Sequence, residues 1–457
     1  MRLRENTPWL IHWLEEQHDG PYWRSTLGRM YDRVQVPTMI IGGWADFYVN
    51  ASLRWMAHLR GPKKLIMGPW PHTPPDVATP GPQIDYLHEM TRWWKQWLAD
   101  EPTGVMDEPP VVVYIQHYRR PDAPTDVALG VWRFEEALPP PRMREREWFL
   151  GTNGALANNP PVADHVASRE YVPFVGFADL GFAGGRVGWG EQGANEAFSI
   201  VYTTKPLAQD TEILGFPRAA LLVSTTTDVA FVAARLCDVA PDGASTLVSK
   251  GLLNATRRDG MDRADPLVPG EMYQLDIELD AVSWVFPKGH AVRLAVSCAD
   301  FPEVWPSPQP AVLTLHAGSS HPSRLTLPVV PPAKRRSRFV TTTEMPKSSV
   351  AYDVTRRAMI ARREQKETIQ HYDGVTVVTS EGYTEMRVSA TNPADATATG
   401  WDRKTLRRPG LEVVSTATAE LRGAPTAFHL DLELDVTLNG SPYWHNRWTR
   451  AIPRRLL

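Results

Sequence analysis

Two short segments carry the residue types that acyl-transfer chemistry needs. Gly42-Gly43-Trp44-Ala45-Asp46-Phe47-Tyr48 places a carboxylate after a Gly-Gly pair, and Gly68-Pro69-Trp70-Pro71-His72 places an imidazole 26 residues after that carboxylate. A carboxylate can orient a histidine ring, fix its tautomer and stabilise the imidazolium that forms when the histidine takes a proton from a nucleophile. The nucleophile this order calls for is a serine on a G-x-S-x-G turn upstream of both residues. No serine of the 457-residue sequence stands in that context. Ser25 alone precedes Asp46, within Tyr22-Trp23-Arg24-Ser25-Thr26-Leu27-Gly28, and this is no such turn. Acid and base are present; the nucleophile is not.

The flanking elements are of the kind that would bring such a pair together. Val36 to Ile41 is a continuous apolar run closed by a Gly-Gly turn, as a parallel strand covered on both faces requires. A helix is expected over Ala51 to Leu59, a second buried strand over Lys64 to Met67, and an amphipathic helix with Trp93, Trp94 and Trp97 over Asp85 to Leu98. This strand–helix alternation predicts an α/β unit, with Asp46 and His72 at the carboxyl ends of its strands, where open sheets build their sites. The competing reading makes Asp46 a cap of the following helix and His72 a surface-loop residue.

Beyond residue 105 the pattern changes. Val111 to Ile115 follows a Pro-Pro pair, and a Pro-rich connection runs to Pro141. Short β-type runs then recur between Gly and Pro turns, among them Ala219 to Ser224, Val229 to Val239, Thr246 to Leu252, Met272 to Leu279 and Ala291 to Cys298. Such spacing predicts a sandwich or jelly roll. Pro328 to Arg336 reads as an exposed linker, and the last segment returns to alternating strands, most strictly over Ala427 to Leu438. At the other end, a helix with Trp9, Leu10, Trp13 and Leu14 on one face is expected within residues 1–33.

Composition narrows the function classes. With 42% hydrophobic and 22% charged residues and a net charge of −3, the sequence offers no electrostatic reason for a nucleic-acid or anionic-membrane partner. Cys237 and Cys298 lie in apolar alternating stretches and read as buried thiols rather than a disulfide. No apolar run has the length to cross a bilayer, and Met1 to Glu16 lacks a signal-peptide cleavage pattern, so a cytoplasmic location is expected.

The chain resembles the cocaine-esterase/X-Pro dipeptidyl-peptidase (CocE/NonD) family. The resemblance runs through Val36-Pro37-Thr38, the Asp46 and His72 segments, Gly61 to Met67, Trp93 to Leu98 and Glu108 to Ile115. It continues through Pro269-Gly270-Glu271-Met272-Tyr273, Phe286 to Ser297 and Leu438 to Arg454. It implies α/β plus all-β architecture. The end of a helical cap would occupy 1–33, and the C-terminal part of an α/β-hydrolase domain 34–115. A connection and galactose-binding-like jelly roll would follow over 116–335, then a β-rich extension over 336–457.

By that resemblance Asp46 is the triad acid and His72 the general base of an esterase or amidase working through an acyl-enzyme. Phe47, Tyr48 and Trp70 flank them as candidate pocket residues, and His290, in a strand-entry turn of the jelly roll, reads as structural. No cofactor and no metal are implied. The substrate would be a small ester or amide, including X-Pro peptide-like bonds. The half of the hydrolase domain that bears the serine has no counterpart here, so the chain is expected to be a truncated product, inactive alone, or completed by a separate N-terminal hydrolase fragment. A non-catalytic remnant acting through its β-sandwich as a binding module is the alternative. A metal-dependent hydrolase using His72, Asp76 and nearby acids lacks any H-E-x-x-H or comparable ligand spacing.

Overall fold

The computed structural model describes residues 7–25, 30–121, 128–179, 190–331, 349–353, 358–370 and 375–455. Helix α1 (Trp9–Glu15) comes first. A small mixed sheet then follows, built by β1 (Thr38–Gly43), α2 (Val49–His58), β2 (Lys63–Gly68), α3 (Tyr86–Leu98), β3 (Val111–Gln116) and β4 (Gly130–Glu135). The strand order is β1-β2-β3-β4. β1, β2 and β3 run parallel, and β4 is antiparallel to β3. Among the described residues β1 has a strand on one side only.

The apolar runs behave as a sheet covered on both faces demands. Leu65, Met67, Val111, Val113 and Ile115 pack with Val49, Leu53 and Met56 of α2. Ile66, Val112, Tyr114 and Trp132 join the core of the next domain. Helix α3 is capped by Asp85, whose carboxylate accepts from the backbone N–H of His88 at 2.9 Å.

The second domain is a β-sandwich of one nine-stranded and one four-stranded sheet, antiparallel throughout its ladders. In Arg218–Thr225, Ala219, Leu221 and Val223 point into the core, where they meet Val232, Ala234 and Leu236 of Phe231–Val239 in the facing sheet. The sandwich is joined to the small sheet by the side chain of Gln116, which donates to the Ser283 carbonyl at 3.0 Å, and by a bridge between His117 and Val285. A third unit is a seven-stranded meander from Ser349–Asp353 to Ser441–Pro453. Its last hairpin turns at Asn439-Gly440, both at positive φ, as a two-residue type I′ turn requires. Val388 and Ala396 of the meander seat against Phe177 and Phe301.

Several expectations are corrected. Trp9 and Trp13 are exposed, and Ile11 is the residue α1 buries, so the face assigned from the tryptophans is not the packed one. Gly42 and Gly43 belong to β1 rather than to a turn, since both pair with β2. The Pro-rich connection to Pro141 contains β4, held in the sheet by its full ladder to β3. Pro328 and Val329 are strand residues and Val330 is buried, so the linker cannot begin at Pro328; residues 332–336 lie outside the described residues. As expected from the sequence, Cys237 and Cys298 are buried and not joined in a disulfide, and burial pushes the Cys298 thiol up to about 12. No helix of the described residues is long and apolar enough to cross a membrane.

Candidate active site

Asp46 follows the carboxyl end of β1, and His72 follows the carboxyl end of the adjacent β2. Parallel pairing puts Gly43 opposite Gly68, and the two chains stay in step beyond the strands. Trp44 donates its backbone N–H to the Gly68 carbonyl at 2.8 Å, and Ala45 to the Trp70 carbonyl at 3.1 Å. These bonds carry Asp46 and His72 to one point. His72 Nδ1 lies 3.0 Å from Asp46 Oδ2. The other carboxylate oxygen accepts from the Tyr48 backbone N–H at 2.8 Å. Asp46 therefore holds the backbone just before α2 and also the histidine, but it is not the helix cap that the competing reading made it: the N-cap is Tyr48, with no side-chain capping bond.

With Asp46 accepting, the neutral ring carries its proton on Nδ1 and leaves Nε2 as the basic atom. Nε2 has no hydrogen-bond partner among the described residues. The His72 side chain is 53% exposed, whereas that of Asp46 is 15% exposed. A held carboxylate beneath an accessible imidazole is the arrangement in which the ring can take a proton from a nucleophile and return it to a leaving group. The pair borders an open groove of about 320 Å³, whose walls include Ile41, Gly42, Gly43 and Pro71 to Pro75.

The flanking aromatic residues divide. Phe47 and Tyr48 are exposed and stand against the histidine, with ring centroids 4.9 and 5.3 Å from that of His72. Trp70 borders the groove, although most of its side chain is turned into the core. Its ring is 1% exposed, packs on Trp132, and donates its indole N–H to the Pro82 carbonyl at 2.7 Å, so it is core that fixes the turn before His72. His290 lies in the sandwich with Nδ1 2.7 Å from Asp238, whose other oxygen accepts from Trp284. Burial pushes the Asp238 carboxyl up, against the opposing pull of the Trp284 and His290 hydrogen bonds.

Among the described residues neither Asp76 nor His72 belongs to a group of three metal-type side chains within mutual reach. Among the described residues the one trio of metal-type side chains within mutual reach is Glu433, Asp435 and His445, on the meander.

Positioning residues that sequence reasoning passed over are the glycines and Trp44. A Cβ on Gly43 would sit 1.9 Å from the Trp70 carbonyl oxygen, and one on Gly68 would sit 2.5 Å from the Trp70 ring. Trp44 donates its indole N–H to the Tyr114 carbonyl at 2.8 Å and ties the acid-bearing loop to β3. Asn50, at the start of α2, is hydrogen-bonded to Asp280 and to the backbone N–H of Ala281, which fixes that helix on the sandwich. The Gly-Gly-Trp run before Asp46 is the one signal that pointed to close backbone approach.

The chain matches two family models. Residues 103–364 match the X-Pro dipeptidyl-peptidase C-terminal non-catalytic domain, and residues 1–74 match X-Pro dipeptidyl-peptidase (S15 family). A protein of Mycobacterium bovis named as a serine esterase is 27% identical over 324 residues, covering 64% of this chain and 49% of that protein. The cocaine esterase of a Rhodococcus strain is 24% identical over 365 residues, covering 71% of this chain and 62% of the esterase. Among solved structures, a CocE/NonD family hydrolase from Staphylococcus aureus shares the fold with a TM-score of 0.56 at 14% identity, over 71% of this chain and 59% of that one. The chain thus spans about half to three-fifths of the length of these relatives. From the strand-end acid and histidine, the sandwich that follows them and these matches, the chain belongs to the CocE/NonD and X-Pro dipeptidyl-peptidase family of hydrolases and carries that family's C-terminal non-catalytic domain.

Proposed function

We propose that Asp46 and His72 are the acid and general base of a serine hydrolase of small esters or amides, whose nucleophile lies on polypeptide outside these 457 residues. The observation that supports this reading best is the 3.0 Å contact between His72 Nδ1 and Asp46 Oδ2 at the ends of two adjacent parallel strands. In the proposed reaction His72 Nε2 takes the serine proton as the oxygen attacks the substrate carbonyl. The imidazolium, steadied by Asp46, returns that proton to the leaving alcohol or amine. Water then attacks the acyl-enzyme by the same route and releases the acid. Phe47 and Tyr48 would form an apolar wall beside the reacting carbonyl. The strand that brings the serine would add to the sheet beside β1, which among the described residues is paired on one side only.

The test is turnover of a p-nitrophenyl ester by protein isolated from its source cells, beside His72→Ala and Asp46→Asn versions made in the same cells. The proposal expects losses in kcat of at least about a thousandfold for either change, at unaltered native secondary structure. Turnover that survives both substitutions would defeat the assignment. Protein that never turns over an ester, in any preparation, would favour the second reading, a sandwich that binds without catalysis. The absence of a G-x-S-x-G turn within these residues is what keeps that reading in view.

A further inference from the structure

A groove of about 530 Å³ opens at the mouth of the sandwich, where Arg144–Leu150 and Leu156–Ala157 of the larger sheet face the segment after Ile200–Thr203 of the smaller one. It is separate from the residues around Asp46 and His72. Its volume falls in the range of sites that enclose a small organic molecule, about 300–1,000 Å³. Trp148, Leu156 and Leu207, all buried in the sandwich core, underlie it.

The charged residues that line this groove are of one sign. Arg146 and Lys205 border it, and no carboxylate is among its lining residues. The Arg146 guanidinium lies over the Trp148 ring, 4.3 Å from its centroid, so it is held in one place by a cation–π contact. Among the described residues its one hydrogen bond is a long one, 3.5 Å to the Asn158 side-chain oxygen. Alternation along the strand puts the neighbouring Glu145 and Glu147 on the opposite face, where Glu147 pairs with Arg324 at 2.9 Å. Lys205 is exposed and makes no ion pair among the described residues. Two cations without carboxylate partners above an apolar floor form a complementary surface for an anion with an apolar body.

We propose that this groove is a binding site for a small organic acid, its carboxylate taken by Arg146 and Lys205 and its hydrocarbon part received among Ala155, Leu156, Pro206 and Leu207. A guanidinium offers a planar pair of donors to a carboxylate, whereas the ammonium acts as a movable point charge. The site stands on the sandwich alone and does not depend on hydrolysis elsewhere in the molecule.

The experiment is calorimetric titration of the full chain with three probes that share one body: 4-phenylbutyrate, 4-phenylbutan-1-ol and 4-phenylbutylamine. The carboxylate is expected to bind, the alcohol at least about tenfold more weakly, and the amine not measurably. Lys205→Gln and Arg146→Gln should each weaken the carboxylate by about tenfold while leaving the alcohol unchanged. Lys205 is exposed, so its variant keeps the test informative should loss of Arg146 unsettle Trp148. Equal affinity for all three probes, no heat with the carboxylate, or carboxylate binding indifferent to Lys205→Gln would overturn the proposal.

Discussion

Gly43→Ala tests how the strands place the acid and the base. The added methyl would lie 1.9 Å from the Trp70 carbonyl oxygen and 2.7 Å from its carbon, where ordinary contact begins at 3.4 Å. Backbone at the end of a buried strand must therefore yield by about 1.5 Å, an overpacking distortion of the kind that costs about 1–3 kcal/mol. That shift would break the bond from Ala45 to the Trp70 carbonyl, now 3.1 Å, at a cost of about 1 kcal/mol. A smaller gain of about 0.4–1 kcal/mol comes from the less flexible unfolded chain. The net expectation is a loss of about 2 kcal/mol. Because His72 is two residues beyond Trp70, the same displacement should open its contact with Asp46. Urea unfolding followed by tryptophan fluorescence reads the first effect, and the His72 ring resonances in a histidine-labelled NMR sample read the second. Gly20→Ala is the control, since its methyl would meet nothing nearer than 3.7 Å. A Gly43→Ala loss no larger than the control's, with the His72 resonances unmoved, would refute the argument.

Two further predictions concern buried charge. Arg235, fully buried, pairs with Asp300, which Lys250 also reaches at 2.9 Å; Arg235→Met strands part of that carboxylate's charge and should cost about 3–5 kcal/mol in urea unfolding, and a change under 1 kcal/mol would contradict the pairing. Burial pushes the Glu108 carboxyl up, but hydrogen bonds and charge from Lys64 and Arg92 outweigh this and hold it below the usual range. Its contribution is therefore present above the unfolded glutamate value of about 4.3 and is lost as pH falls through the lowered folded value, so Glu108→Gln should flatten the acid limb of a stability–pH curve. An unchanged acid limb would count against it.

The parallel strands and the acid–histidine pair were legible because their signals are local. Continuous apolar runs marked β1 to β3, and a carboxylate and a histidine at strand ends in the right order marked the site. What was illegible depends on distant partners. β4 lies among prolines, and its place in the sheet comes from its ladder to β3. Trp9 and Trp13 look like a packing face, yet Ile11 between them is the buried residue. Lys64, Arg235 and Asp300 carry no sequence mark of burial, because each is made tolerable by an opposite charge brought from elsewhere. Trp70 borders the groove, and its indole bond to the Pro82 carbonyl, which buries the ring, has no mark in the sequence.

The measurement that bears most directly on the central claim is intact-mass analysis of the protein from its source cells, before and after exposure to a fluorophosphonate. One phosphonyl group is expected on a serine in a G-x-S-x-G turn, on polypeptide that travels with these 457 residues, and that label should be lost in the His72→Ala protein. Label on a serine within these residues, or label indifferent to His72, would contradict it.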